Sequence, residues 1–126
     1  MWLCAMMTYA PLVVVVDDDV AVLKALGRVL RAAGFDTATY SSAEEFLTAP
    51  PARRAHCLVL DVQLGGMSGI DLQRHLHAHG STLPVIILTA FDDDAVRCEA
   101  RAAGCAGYFD KQTDVDVLLH LINSFR

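Results

Sequence analysis

The amino-acid sequence predicts an α/β domain: one doubly wound, five-stranded parallel sheet with helices on both faces. Two observations carry that expectation. Short runs rich in Val, Ile and Leu alternate with segments of helical period along nearly the whole chain, the pattern of strand and helix units that build a parallel sheet. Gly34, Gly80 and Gly104 each follow a helical segment, where a left-handed residue is wanted to end it.

The first strand is 12–16 (LVVVV), an unbroken apolar run that belongs in the interior. A helix over about 19–33 follows, and Leu23, Leu26, Leu30 and Ala33 recur on one face, so that face packs on the sheet. The second strand is 35–39 (FDTAT), and Ser42 with Glu45 forms a capping box for a helix over about 42–49. The third strand, 57–60 (CLVL), leads to a helix over about 68–79; the fourth, 84–88 (PVIIL), to one over about 92–103; the fifth, 106–109 (AGYF), to one over about 113–125. In the last helix Val115, Leu118, Leu119 and Ile122 make the stripe that faces the sheet, while Val117 and Leu121 add a second apolar strip. That strip either widens the core coverage or marks a partner surface. Right-handed crossovers between these units give the flavodoxin-like strand order 2-1-3-4-5.

A chain of 126 residues fits one domain, and a hydrophobic content of 54% with 20% charged residues excludes disorder. The 15 acidic and 10 basic residues leave a net charge of −5 with no basic run, which argues against a nucleic-acid-binding surface. Cys4, Cys57, Cys98 and Cys105 form no Cys-x-x-Cys pair and read as small buried hydrophobes of a reducing cytosol. Residues 1–11 form an N-terminal extension to a domain over 12–126; the opening MWLCAMMTYA lacks a basic n-region and is too short to span a membrane, and Met7 is an alternative first residue.

Ligands of open parallel sheets bind outside the carboxyl ends of the strands, where strand order reverses, here between the first and third strands. The first strand ends in Asp17, Asp18 and Asp19, the third in Asp61 and the fourth in Thr89, while the fifth runs into Lys111. Crowded carboxylates repel and raise one another's pKa, a conflict that a hard divalent cation resolves. Mg²⁺ suits such an all-oxygen site better than zinc. A carboxylate is also a competent nucleophile toward phosphorus, with Mg²⁺ and Lys111 neutralising oxygen charge and Thr89 and the backbone N–H groups after Asp61 donating hydrogen bonds. Structural readings compete elsewhere. Asp19 suits a helix cap, Asp92 to Asp94 suit the start of another helix, and His75 with His79 has zinc-like spacing but no third ligand.

The segments VVVVDDD, LVLDVQLGGMSGIDL, PVIILTA and GYFDK, in this order, resemble the receiver domain of bacterial response regulators from residue 12 onward. GGMSGIDL is most similar to receivers that precede LuxR-type helix-turn-helix output domains. The resemblance implies that Asp61 is the phospho-acceptor, that Asp18 binds Mg²⁺ directly and Asp17 mostly through water, and that the Gln63 backbone carbonyl completes the protein ligands. Lys111 would pair with the phosphoryl group, Thr89 would swing inward to hydrogen-bond it, and Tyr108 would follow by burying its ring. These movements would switch the surface of the fourth helix, fifth strand and fifth helix, and Val117 with Leu121 would then serve a phosphorylation-sensitive partner or homodimer contact. The donor would be a phosphohistidine on a sensor histidine kinase or phosphotransfer protein.

Two positions depart from the family pattern. Gly65 stands where proline is common, which loosens the loop after Asp61, and Gln112 stands where a cis proline usually follows the lysine. A cis bond before a non-proline residue costs about 2.5–4 kcal/mol, so a trans bond and a shifted loop are expected, bearing directly on the reach of Lys111 to Asp61. Two alternatives stand beside the receiver reading: a receiver-like interaction module that is never phosphorylated, and a haloacid-dehalogenase-like phosphatase. The second wants Asp-x-Asp, and Gln63 lacks the acid, so turnover of external substrates is not expected.

Overall fold

The computed structural model describes residues 10–125; residues 1–9, with Cys4, Met7 and most of the expected N-terminal extension, lie outside them, as does Arg126. Among the described residues, strands β1 (Leu12–Val16), β2 (Asp36–Tyr40), β3 (Cys57–Asp61), β4 (Val85–Thr89) and β5 (Gly107–Asp110) alternate with helices α1 (Val20–Ala32), α2 (Ala43–Thr48), α3 (Gly69–Ala78), α4 (Asp94–Ala102) and α5 (Val115–Asn123). All strand pairs are parallel, in the order β2-β1-β3-β4-β5, as the sequence predicts. Element limits differ from the sequence reading by one or two residues, the usual fraying of ends.

The two-residue period of a strand sorts the core into two layers. Val14, Val16, Leu58, Leu60, Val85 and Ile87 meet Ala43 and Phe46 of α2, Ile70 and Leu72 of α3 and Ala100 of α4. Their neighbours Val13, Val15, Cys57, Val59, Ile86 and Leu88 meet Leu23 and Leu30 of α1 and Leu118 and Ile122 of α5. Every residue of β1, β3 and β4 is buried, and a fully buried Val, Leu or Ile side chain is worth about 1.5–3 kcal/mol. The three central strands are therefore a rigid base for whatever their ends carry.

Asp19 caps α1 by accepting from the Ala21 amide at 2.9 Å. Gly34, Gly80 and Gly104 have φ of 95°, 82° and 88°, the left-handed ends that their positions predict. Ala33 does not join the buried face of α1: it is the exposed C-cap, and Gly27 is buried there instead. Ser42 accepts from the Glu45 amide at 3.0 Å, but the Glu45 carboxylate accepts from the Ser41 hydroxyl at 2.7 Å, so the capping box closes one residue early. Cys57 is buried as expected and Cys105 half-buried, whereas Cys98 is exposed because it sits on the solvent side of α4; all three are free thiols. On α5, Val117 is 48% exposed while Leu121 is half-buried against the second core layer, so the two positions of the apolar strip divide between solvent and core.

Candidate functional site

Parallel register builds the site. Val16 lies opposite Leu60, so the next residues, Asp17 and Asp61, emerge side by side at the carboxyl edge. Both are buried, Asp17 2% and Asp61 5% exposed, while Asp18 is exposed, and one oxygen from each of the three carboxylates lies within 4.8 Å of the others. It is the one such metal-compatible group of three or more among the described residues. Burial, and then the neighbouring charge of Asp17, push the Asp61 carboxyl above the usual carboxylate range, against the opposing pull of Lys111.

Lys111 Nζ lies 2.7 Å from Asp17 Oδ2 and 3.3 Å from Asp61 Oδ2. Burial by itself would pull this ammonium down, yet the Asp17 hydrogen bond and the two carboxylate charges raise it above its ordinary value. Its backbone is fixed by donating to the Thr89 carbonyl at 2.8 Å, one step beyond the β4–β5 ladder. No cis peptide bond occurs among the described residues, so the bond before Gln112 is trans. The trans loop still carries Lys111 to the acids, because the Asp110 carboxylate accepts from the Gln112 amide at 2.7 Å and the Asp110 carbonyl from the Thr113 amide at 2.9 Å. That tight turn returns the lysine to the acids.

Asp61 also accepts from the Gln63 amide at 3.3 Å, so the loop after β3 folds back on the carboxylate. Gly69 closes the loop: its amide donates to the Val62 carbonyl at 3.1 Å, and a Cβ on it would lie 2.0 Å from the Asp61 backbone oxygen. Gly69 and Asp110 are site-building residues that pattern reading missed. A signal for the first was present, since glycine directly after the helix cap Ser68 is a poor helix former and points to close backbone approach. Asp110 had none beyond its place before Lys111.

Thr89 is 2% exposed, and its hydroxyl donates to the Phe91 carbonyl at 3.1 Å and accepts from the Phe91 amide at 3.2 Å, so here it faces the following loop. The Tyr108 ring packs on the first core layer beneath the Arg97 guanidinium, 5.4 Å from the ring centre, and its buried hydroxyl finds no hydrogen-bond partner among the described residues. Burial raises the Tyr108 pKa. The second acidic run is structural: Asp93 caps α4 through Ala95 at 2.7 Å, and Asp92 pairs with Arg97. His75 and His79 stack at 4.3 Å, with His79 Nδ1 2.8 Å from the His75 carbonyl, and no third ligand joins them among the described residues.

Among the described residues no helix is long and apolar enough to cross a membrane. The response regulator receiver domain family matches residues 13–123. The response regulator protein TodT of Pseudomonas putida is 35% identical over 115 residues, covering 91% of this chain and 51% of TodT. The transcriptional regulatory protein FixJ of Bradyrhizobium diazoefficiens is 34% identical over 110 residues, covering 87% of this chain and 54% of FixJ. The crystal structure of full-length FixJ from B. japonicum superposes with a TM-score of 0.84 at 32% identity, over 94% of this chain and 58% of that one. The chain thus spans about half the length of the curated relatives it matches. With the family pattern running from β1 into α5 and the strand-end acids and lysine gathered at one edge, this chain belongs to the response regulator receiver domain family of two-component systems.

Proposed function

We propose that Asp61 is the phospho-acceptor of this receiver, and the observation that carries the reading is the buried Asp61 carboxylate set beside Asp17, with the Lys111 ammonium reaching both. An Asp61 oxygen attacks phosphorus, an acyl phosphate bond forms, and the P–N bond to the donor histidine breaks with its electron pair returning to the imidazole. The donor is a phosphohistidine of a sensor kinase or phosphotransfer protein. Lys111 already points at the Asp61 oxygen and pairs with the incoming phosphoryl group. The three carboxylates form an all-oxygen donor set that suits a hard cation, so Asp17, Asp18 and Asp61, with the Gln63 backbone carbonyl, would hold Mg²⁺. When bound, Mg²⁺ neutralises charge on the phosphoryl oxygens.

The phosphoryl group adds roughly two negative charges and several strong acceptors. Thr89 leaves Phe91 to donate to it, Tyr108 moves with the loop, and the surface of α4, β5 and α5 changes. Val117 is the solvent-facing apolar position on that surface and serves a partner or homodimer contact. The chemistry stays on the chain's own Asp61 rather than turning over external substrates, and the exposed Gln63 offers no general acid for a phosphatase. In this reading residues 12–126 are the receiver domain of a cytoplasmic regulator, and any DNA contact would come from another domain.

Acetyl phosphate with Mg²⁺ tests the proposal by intact-protein mass. The wild type gains one acid-stable, hydroxylamine-labile phosphoryl group, Asp61→Asn gains none, and EDTA abolishes the gain. A wild type that stays unmodified would return the chain to an unphosphorylated interaction module, and an Asp61→Asn protein modified equally would move the acceptor to another residue.

A further inference from the structure

The loop after Asp61 is held at its tip by a side chain from a different layer of sequence. The Glu44 carboxylate, in the first turn of α2, accepts from the Met67 amide at 3.0 Å. This contact exists because residue 66 is glycine. Gly66 has φ of 94°, and a Cβ on it would lie 2.6 Å from Glu44 Oε2, so any side chain there would evict the carboxylate. The same amide is the first cause of the lowered Glu44 pKa, which leaves the carboxylate ionised and the bond charge-assisted. Elsewhere the loop is held by the buried Leu64 and by the Gly69 bond at its base, while a Cβ built on Gly65 would meet nothing within 4 Å.

We infer that Glu44 is a positioning residue for the metal-binding loop, restoring the stiffness lost where Gly65 replaces a proline, and that it thereby sets the Mg²⁺ affinity of the Asp61 site. The inference rests on the metal site proposed above. Gln63, whose backbone carbonyl is assigned to Mg²⁺, lies between the Asp61 anchor and the Glu44 clamp, so loosening the tip spreads the positions of that carbonyl. Ordering it at the moment of binding costs affinity.

The test compares wild type, Glu44→Ala and Glu44→Gln by amide NMR. In metal-free protein, hydrogen exchange at Met67 accelerates in Glu44→Ala and stays near wild type in Glu44→Gln, whose amide oxygen still accepts. In Mg²⁺ titrations followed at the Gln63 amide, Glu44→Ala weakens binding about two- to tenfold, the equivalent of one lost hydrogen bond, and Glu44→Gln retains it. Because both variants remove the same charge, equal weakening in the two would assign the effect to net charge and overturn the inference. So would Met67 exchange or Mg²⁺ affinity that Glu44→Ala leaves unmoved. A wild type whose Gln63 amide ignores Mg²⁺ removes the metal site itself, and the inference with it, an outcome distinct from the others.

Discussion

The backbone N–H of Gln112 donates to the Asp110 carboxylate at 2.7 Å, a bond that a proline at this position has no hydrogen to make. The departure from the family pattern therefore brings its own replacement. A trans bond and a side-chain acceptor together give the turn that keeps Lys111 on Asp17 and Asp61. Asp110→Ala should slow Asp61 phosphorylation by acetyl phosphate about two- to tenfold, the rate equivalent of one hydrogen bond, while Asp110→Asn, which keeps an acceptor, stays near wild type. Equal rates in all three proteins would show that the turn stands without Asp110.

Glycines of the same loop should respond in opposite directions. Gly69→Ala places a methyl 2.0 Å from the Asp61 backbone oxygen, so backbone must shift at a cost of about 1–3 kcal/mol. A Cβ on Gly65 would meet nothing within 4 Å and φ is not positive, so Gly65→Ala stabilises by about 0.4–1 kcal/mol through the unfolded chain. Urea denaturation of the two variants reads both signs.

Stability should fall at alkaline pH through one buried thiol. Burial pushes Cys57 up from 9.0 to about 12. In the unfolded chain the thiol ionises near its ordinary value while the folded protein holds it neutral, so its contribution is complete below about pH 9 and is lost towards pH 12. The slope is at most about 1.4 kcal/mol per pH unit. Urea midpoints of wild type and Cys57→Val should therefore diverge above about pH 9 and run parallel below it. Peptide mapping after brief iodoacetamide treatment of native protein should find the exposed Cys98 alkylated and Cys57 spared.

Val117 and Leu121 require different handling as probes of the proposed contact surface. Leu121 Cδ2 lies so close over Gly107 that a Cβ there would be 2.5 Å away, so charging Leu121 perturbs the core beneath it. Val117 is 48% exposed, and Val117→Asp should alter stability by no more than about 0.5 kcal/mol. If the surface mediates an activated dimer, beryllofluoride-treated wild type scatters as a dimer and Val117→Asp as a monomer. A dimer in both proteins moves the contact elsewhere.

Much of this arrangement could be read from local pattern. Unbroken apolar runs identified the three buried strands, left-handed glycines identified helix ends, and Asp61, Lys111, Thr89 and the Asp17–Asp18 pair stood at strand ends where a parallel sheet exposes its chemistry. The exceptions share a cause. Ala33 was assigned by helical period, which gives a direction around the axis but not where the helix stops. The Asp110 and Glu44 carboxylates accept from backbone amides, which carry no residue-specific signature, and Gly69 showed only as a poor helix former at a helix start.

The sequence by itself determined the strand and helix identities, the two-sided burial of the central sheet and the kinds of charge at its edge, because these follow from residue type and short-range periodicity. Only the tertiary structure decided which of those charges touch. The Val16–Leu60 register sets Asp17 beside Asp61, the Asp110 turn aims Lys111 between them, and the vacancy at Gly66 admits Glu44. Each depends on the relative placement of groups to within a fraction of an ångström. That precision comes from packing and hydrogen-bond geometry between neighbouring elements, and it is absent from any one segment read alone.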